Sequence, residues 1–122
     1  MKRSSAERRK YIRLEAPINV SYTLSQGDKV YRAVSKNISA LGLRFQIPSS
    51  TIEESSILEL ALELPSAPNP VHVRGKVIWV KKLTLEDNAP FDVGVEFEKI
   101  DEDNKNTFLK YLCDLIYSMS DK

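Results

Sequence analysis

Ile18, Val20, Tyr22 and Leu24 alternate with Asn19, Ser21 and Thr23, the period of a strand with one buried face. A turn cluster, Ser25-Gln26-Gly27-Asp28, follows, and residues 30–38 resume extended character. These two strands are expected to pair as a hairpin. Gly42 ends a tight connection, after which Leu43, Phe45 and Ile47 alternate with Arg44 and Gln46 until Pro48 closes the strand. Leu58, Leu60, Leu62 and Leu64 share a face opposite Glu59, Ala61 and Glu63. Leucine and glutamate are good helix formers, but the strict alternation favours a strand. Residues 65–70 hold three prolines and cannot belong to a ladder. Residues 71–80 then make a strand with Val71, Val73, Val77 and Trp79 on one side. The last strand carries Val93, Val95 and Phe97 inward, with Asp92, Gly94 and Glu96 outward.

The period changes after residue 100. Asp101 can cap a helix, and Glu102 and Asp103 suit its positive first turn. Phe108, Leu112, Leu115 and Met119, with Leu109 and Ile116 beside them, form a broad apolar stripe at helical spacing. Six short strands and one C-terminal amphipathic helix predict a mainly β fold, a small antiparallel barrel with the helix packed on it. Residues 1–13 lack periodicity and read as a flexible basic arm, and residues 14–122 as a single barrel-plus-helix domain.

Composition narrows the function. The 122 residues carry a net charge of +1, but six cations and one acid fall within residues 1–13, so the arm is strongly basic and the body mildly acidic. A local anion site fits that distribution better than a broad nucleic-acid-coating face does. No apolar run reaches the length of a membrane span, and the basic N-terminus, with no apolar run behind it, is not expected to act as a secretion signal. The one cysteine, Cys113, fits a reducing compartment and reads as a small packing residue of the helix. A cytoplasmic protein is expected. The one histidine, His72, faces outward on its strand with no ligand partner at metal spacing. Glu53-Glu54, Glu86-Asp87 and Asp101-Glu102-Asp103 read as solvated charge, and there is no phosphate-binding glycine loop. Neither an enzyme nor a cofactor is indicated.

Two stretches carry recognisable chemistry. Arg8-Arg9-Lys10-Tyr11-Ile12-Arg13 offers guanidinium groups, and Asn37-Ile38-Ser39-Ala40-Leu41-Gly42 offers an amide, a hydroxyl and a glycine. Together they suit a ligand with phosphates and hydrogen-bonding base edges. Arg9-x-x-x-Arg13 followed by Asn37-x-Ser39-x-x-Gly42 resembles the two-part signature of PilZ domains, bacterial receptors for cyclic di-GMP. Arg74-Gly75-Lys76-Val77-Ile78-Trp79-Val80 and Val93-Gly94-Val95-Glu96-Phe97 are similar to the last strands of that family, so the likeness spans residues 7–112.

The resemblance implies a six-stranded barrel with a C-terminal helix. It gives Arg9 and Arg13 to phosphates or guanine edges, Asn37 to a guanine edge, and Ser39 to a phosphate or base. Gly42 would permit close backbone approach or a positive φ. The family often has aspartate at position 37, so asparagine implies somewhat altered affinity. A basic residue at Arg8 goes with an intercalated pair of ligands in the family. Trp79 matches a position that can border the ligand, while its parity equally fits the core; Arg44 and Arg74 point outward and could add positive charge, with surface charge the favoured reading for each. The implied function is a receptor whose arm orders over the barrel and changes contact with a separate effector protein, in motility or biofilm formation. The alternatives are a PilZ-like adaptor that binds no nucleotide and, more remotely, a single-stranded nucleic-acid-binding barrel.

Overall fold

Each alternating stretch forms a strand in the computed structural model, which describes residues 14–24, 27–48, 52–65 and 67–120. The elements are β1 (Leu14–Glu15), β2 (Asn19–Leu24), β3 (Tyr31–Ile38), β4 (Gly42–Ile47), β5 (Ile57–Glu63), β6 (Val71–Lys82), β7 (Phe91–Ile100) and α1 (Glu102–Ser120). All pairings are antiparallel, and β3, β2, β5, β6, β7 and β4 follow one another around the sheet, with β4 returning to β3. The result is a closed six-stranded barrel with one C-terminal helix. Closure leaves no long free edge among these six strands. The short β1 adds to β3 on the side that β2 also uses, with Leu14 opposite Ile38 and Glu15 opposite Asn37.

Leucines 58, 60 and 62 settle the competition between helix propensity and alternation. They point into the barrel with Val20, Tyr22, Phe45, Val73 and Val93, all 3% exposed or less. Tertiary burial of one face overrides the local preference. Phe108 and Leu112 of α1 complete the core, and Phe108 meets Phe97 edge to face at 5.6 Å between ring centroids. The helix start is tied to β6 through one residue. The carbonyl of His72 accepts from the Asp101 amide at 3.1 Å, and the His72 amide donates to Asn104 Oδ1 at 2.8 Å.

Several expectations need correction. Only part of the broad stripe on α1 reaches the barrel: Leu109 and Ile116 are exposed, and so is Cys113, which is therefore no packing residue. A bulge in β6 between Val77 and Trp79 reverses the inward–outward order beyond it. Trp79 leaves the parity of Val77 and lies over the outer face, while Val80 packs against the core. Asp92 has outward parity but is only 7% exposed. A second bulge, in β3 between Ser35 and Asn37, does for Asn37 what the first does for Trp79. Ser35 is buried, Ile38 is buried, and Asn37 between them is half-exposed. No helix among the described residues is long and apolar enough to cross a membrane.

Candidate functional site

The turn from β3 to β4 is a small hydrogen-bonded unit. The Ser39 amide donates to the Gly42 carbonyl at 2.9 Å, and Ser39 Oγ accepts from the Leu41 amide at 3.1 Å. The hydroxyl's own proton has only a long, 3.5 Å approach to the Gly42 carbonyl, too weak to hold it. It can turn toward an incoming oxygen. Gly42 is required by proximity, not by its torsion angle. A Cβ there would overlap the Val95 carbonyl oxygen and stand 3.1 Å from Glu96 Cα, and no described glycine has a positive φ.

Pairing register arranges the outer face beside this turn. Glu15 lies opposite Asn37, Asn37 opposite Arg44, Arg44 opposite Gly94, and Gly94 opposite Trp79. One transverse row thus crosses five strands with these side chains. Gly94 has no side chain, and the Trp79 indole occupies the space: a Cβ on Gly94 would come within 2.5 Å of Nε1 and 2.7 Å of Cζ2. Lys81 Nζ stands 5.9 Å from the centre of the indole, within cation–π range. The adjacent row runs Gln46, Asp92, Lys81. Between the rows, Arg44 Nε approaches Asp92 Oδ2 at 3.1 Å.

Two grooves flank this row. One, of about 560 Å³, is lined by residues including Glu15, Lys36, Asn37, Arg44 and Gln46. The other, of about 650 Å³, is lined by residues including Ser39, Leu41, Gly42, Trp79, Lys81 and Gly94. Four sequence-predicted residues, Asn37, Ser39, Gly42 and Trp79, therefore share one region of the barrel surface, distributed over two neighbouring grooves. Arg8, Arg9 and Arg13 lie outside the described residues. Their tether does not: Leu14 is buried and opposite Ile38, between Asn37 and Ser39 in sequence.

Three further residues belong to this region. Arg44, whose outward parity favours surface charge over a contribution to the site, sits between Asn37 and Gly94. Asp92 shows only outward parity in the sequence, and Lys81 lies just past the stretch 71–80 expected as a strand, whereas β6 runs to Lys82. Outward strand parity gives no warning of lateral crowding, so nothing in the sequence could have marked Asp92 as buried. Among the described residues no group of three or more His, Cys, Asp or Glu could hold a metal ion.

Comparison with known proteins places this geometry. The PilZ domain model matches residues 7–113. No curated protein matches the chain in sequence. Among solved structures, the PilZ domain of YcgR from Escherichia coli with c-di-GMP superposes with a TM-score of 0.69 at 12% identity, covering 93% of this chain and 95% of that one. Bacillus subtilis MotI/DgrA, an inhibitor of motility, gives 0.72 at 19% identity over 93% of this chain and 52% of its own. The K. pneumonia MrkH–c-di-GMP complex gives 0.70 at 19% identity over 90% of this chain and 52% of its own. The chain thus spans about half the length of MotI/DgrA and of MrkH.

Proposed function

This chain belongs to the PilZ domain family, and on that premise we propose that it is a receptor for cyclic di-GMP, not a catalyst. The observation that carries the reading is the pairing of β1, the segment that directly follows the arginine stretch in sequence, beside the second signature half at one barrel edge. Asn37, Ser39 and Gly42 stand at the end of β3 and its turn, and Arg13 is one peptide link from Leu14, which is paired with Ile38 beside them. Consecutive Cα atoms are about 3.8 Å apart, so Leu14 anchors the chain within reach of the asparagine–serine–glycine turn, which supports a role there for the arginines that precede it.

Cyclic di-GMP presents two phosphates and two guanines. Arg9 and Arg13 take phosphate oxygens or the O6/N7 edge of guanine through paired hydrogen bonds. Asn37 bonds a base edge, and the loosely held proton of Ser39 Oγ donates to a phosphate or base oxygen. Gly42 keeps the turn flat against β7, and the indole of Trp79 offers an aromatic face to a base. Arg8 adds a guanidinium suited to a second, intercalated ligand. Closing the arm over the barrel costs conformational entropy, which the charge-assisted bonds offset. The surface made by arm and ligand is then read by an effector protein in the cytoplasm. YcgR and MrkH in complex with c-di-GMP, and MotI/DgrA as an inhibitor of motility, support a second-messenger role of this kind.

Calorimetric titration of the purified protein with cyclic di-GMP tests the proposal. Saturable binding is expected, with Arg9→Ala and Arg13→Ala each weakening it by about 10- to 150-fold, the worth of one charged hydrogen bond. Two ligands per chain establish the intercalated pair; one ligand rejects it. Absence of binding overturns the receptor reading in favour of a nucleotide-independent adaptor.

A further inference from the structure

We propose that Arg44 is a further ligand-contacting arginine of this site, held from below by Asp92, and that asparagine at position 37 leaves it available. The inference rests on the cyclic di-GMP reading and extends it to residues outside the signature.

Position is the first argument. Arg44 is the central member of the outward row, with Asn37 as its cross-strand neighbour on β3 and Gly94, covered by the Trp79 indole, on β7. A ligand that touches both the amide of Asn37 and the ring of Trp79 passes over Arg44. The exposed part of its side chain, 32%, borders the groove shared with Asn37 and Gln46.

The Asp92 contact is the second. Its side chain is only 9% exposed, and Oδ1 has no hydrogen-bond partner among the described residues. Arg44 Nε is likewise buried without an aligned hydrogen bond, although it stands 3.1 Å from Oδ2. A pair built for stability would close the bidentate fork that arginine and carboxylate readily form. An incompletely satisfied buried carboxylate is a poor source of stability. What the contact does accomplish is orientation: it fixes the Nε edge of the guanidinium toward β7 and leaves the planar group at the groove.

The third argument concerns Asn37. Directly opposed side chains on paired strands have Cβ atoms about 4.5–5.5 Å apart. An aspartate at 37 would face Arg44 at that spacing and draw its charge across the strand. The neutral amide does not compete with Asp92, so the amide reads a base edge while Arg44 takes a phosphate or the O6/N7 edge of guanine.

Cyclic di-GMP titrations of variants decide the matter. Arg44→Ala is expected to weaken binding by about tenfold or more and to make it less sensitive to salt. Arg74→Ala is the control: its guanidinium pairs with Glu59 at 3.0 Å on β5, away from the row, and affinity should hold. Because Arg44→Ala strands a buried carboxylate, Arg44→Gln with Asp92→Asn provides a neutral, hydrogen-bonding pair without a buried charge, expected to show the same loss. Asp92→Asn alone should weaken binding in the parent but not in the Arg44→Ala background, a non-additivity that a merely structural role would not produce. Asn37→Asp should likewise cost less when Arg44 is absent. If the parent binds and the neutral pair binds within twofold of it, Arg44 is not a ligand residue and the receptor reading stands. If the parent does not bind, the receptor reading falls and this inference with it.

Discussion

Ser35→Ala tests how the arginine segment is fastened to the barrel. Between the pairs Glu15–Asn37 and Asn19–Val34, the leading strand has one residue more than β3, and Pro17 within that gap has no amide proton. The Ser35 hydroxyl spans the irregularity: Oγ accepts from the Ile18 amide at 3.1 Å and donates to the Ala16 carbonyl. Ser35, Ala16 and Ile18 are 2%, 2% and 5% exposed, so water cannot replace the hydroxyl. Alanine strands one buried donor and one buried acceptor. At about 1–3 kcal/mol for an unsatisfied buried group, the smaller end applying to the carbonyl, the loss should be about 2–4 kcal/mol. For a domain whose total stability is about 5–15 kcal/mol, that is a large fraction. Urea unfolding should show a midpoint lowered by about 1–2 M with an unchanged slope. Native-state amide exchange should accelerate at Ile18, and cyclic di-GMP affinity should fall because β1 is loosened. A midpoint within about 0.2 M of the parent, together with unchanged exchange at Ile18, would refute the account of Ser35 as the fastening between β1 and β2.

Gly94→Ala places a methyl group where the indole now lies; since Trp79 is the sole tryptophan, its emission should shift red as the ring is displaced, with weaker ligand binding and little loss of stability. Gly42→Ala meets backbone instead, at Val95 and Glu96; it should break the Phe97–Leu41 hydrogen bond of 2.7 Å and cost about 2–4 kcal/mol, seen as a lowered thermal midpoint. Burial raises the Tyr111 phenol above its ordinary pKa. The unfolded chain therefore loses that proton first, and stability should decline as pH rises above about 10; Tyr111→Phe should flatten this decline in urea titrations between pH 9 and 11, taken as approximate bounds of the tyrosine range.

The strands themselves were legible because each buries one face, and burial of one face writes itself into the sequence as alternation; their order around the barrel, beyond the first hairpin, was not. Leu58, Leu60 and Leu62 show the strength of that signal, since their propensity pointed the other way. The helix was legible in extent but not in rotation. Phe108, Leu112 and Leu115 lie beside Leu109, Cys113 and Ile116 on one wide stripe, and the spacing alone does not choose between them. The tether of Asp101 and Asn104 to His72 makes the choice, and it links residues about thirty positions apart. Asn37, Ser39 and Gly42 stand out through their spacing, whereas the neighbours of Arg44 do not, because strand parity says only that a side chain points outward, not what stands beside it.

Periodicity failed at the candidate face for a reason that also explains how the face is built. In a regular β3, Asn37 would share the inward parity of Ser35; in a regular β6, Trp79 would share that of Val77. Both residues face outward because each lies just past a one-residue irregularity, between Ser35 and Asn37 and between Val77 and Trp79. The two strands carrying these bulges flank β4 and β7, the strands that supply Arg44 and Gly94. Without the bulges, an amide would be buried in the barrel without assured partners, at a cost of about 1–3 kcal/mol, and the indole would overfill a core already closed by Phe45 and Val93. The irregularities that interrupt the ladder are therefore what turn a closed barrel outward, and they set an amide, a guanidinium and an aromatic ring in line beside a hydroxyl-bearing turn.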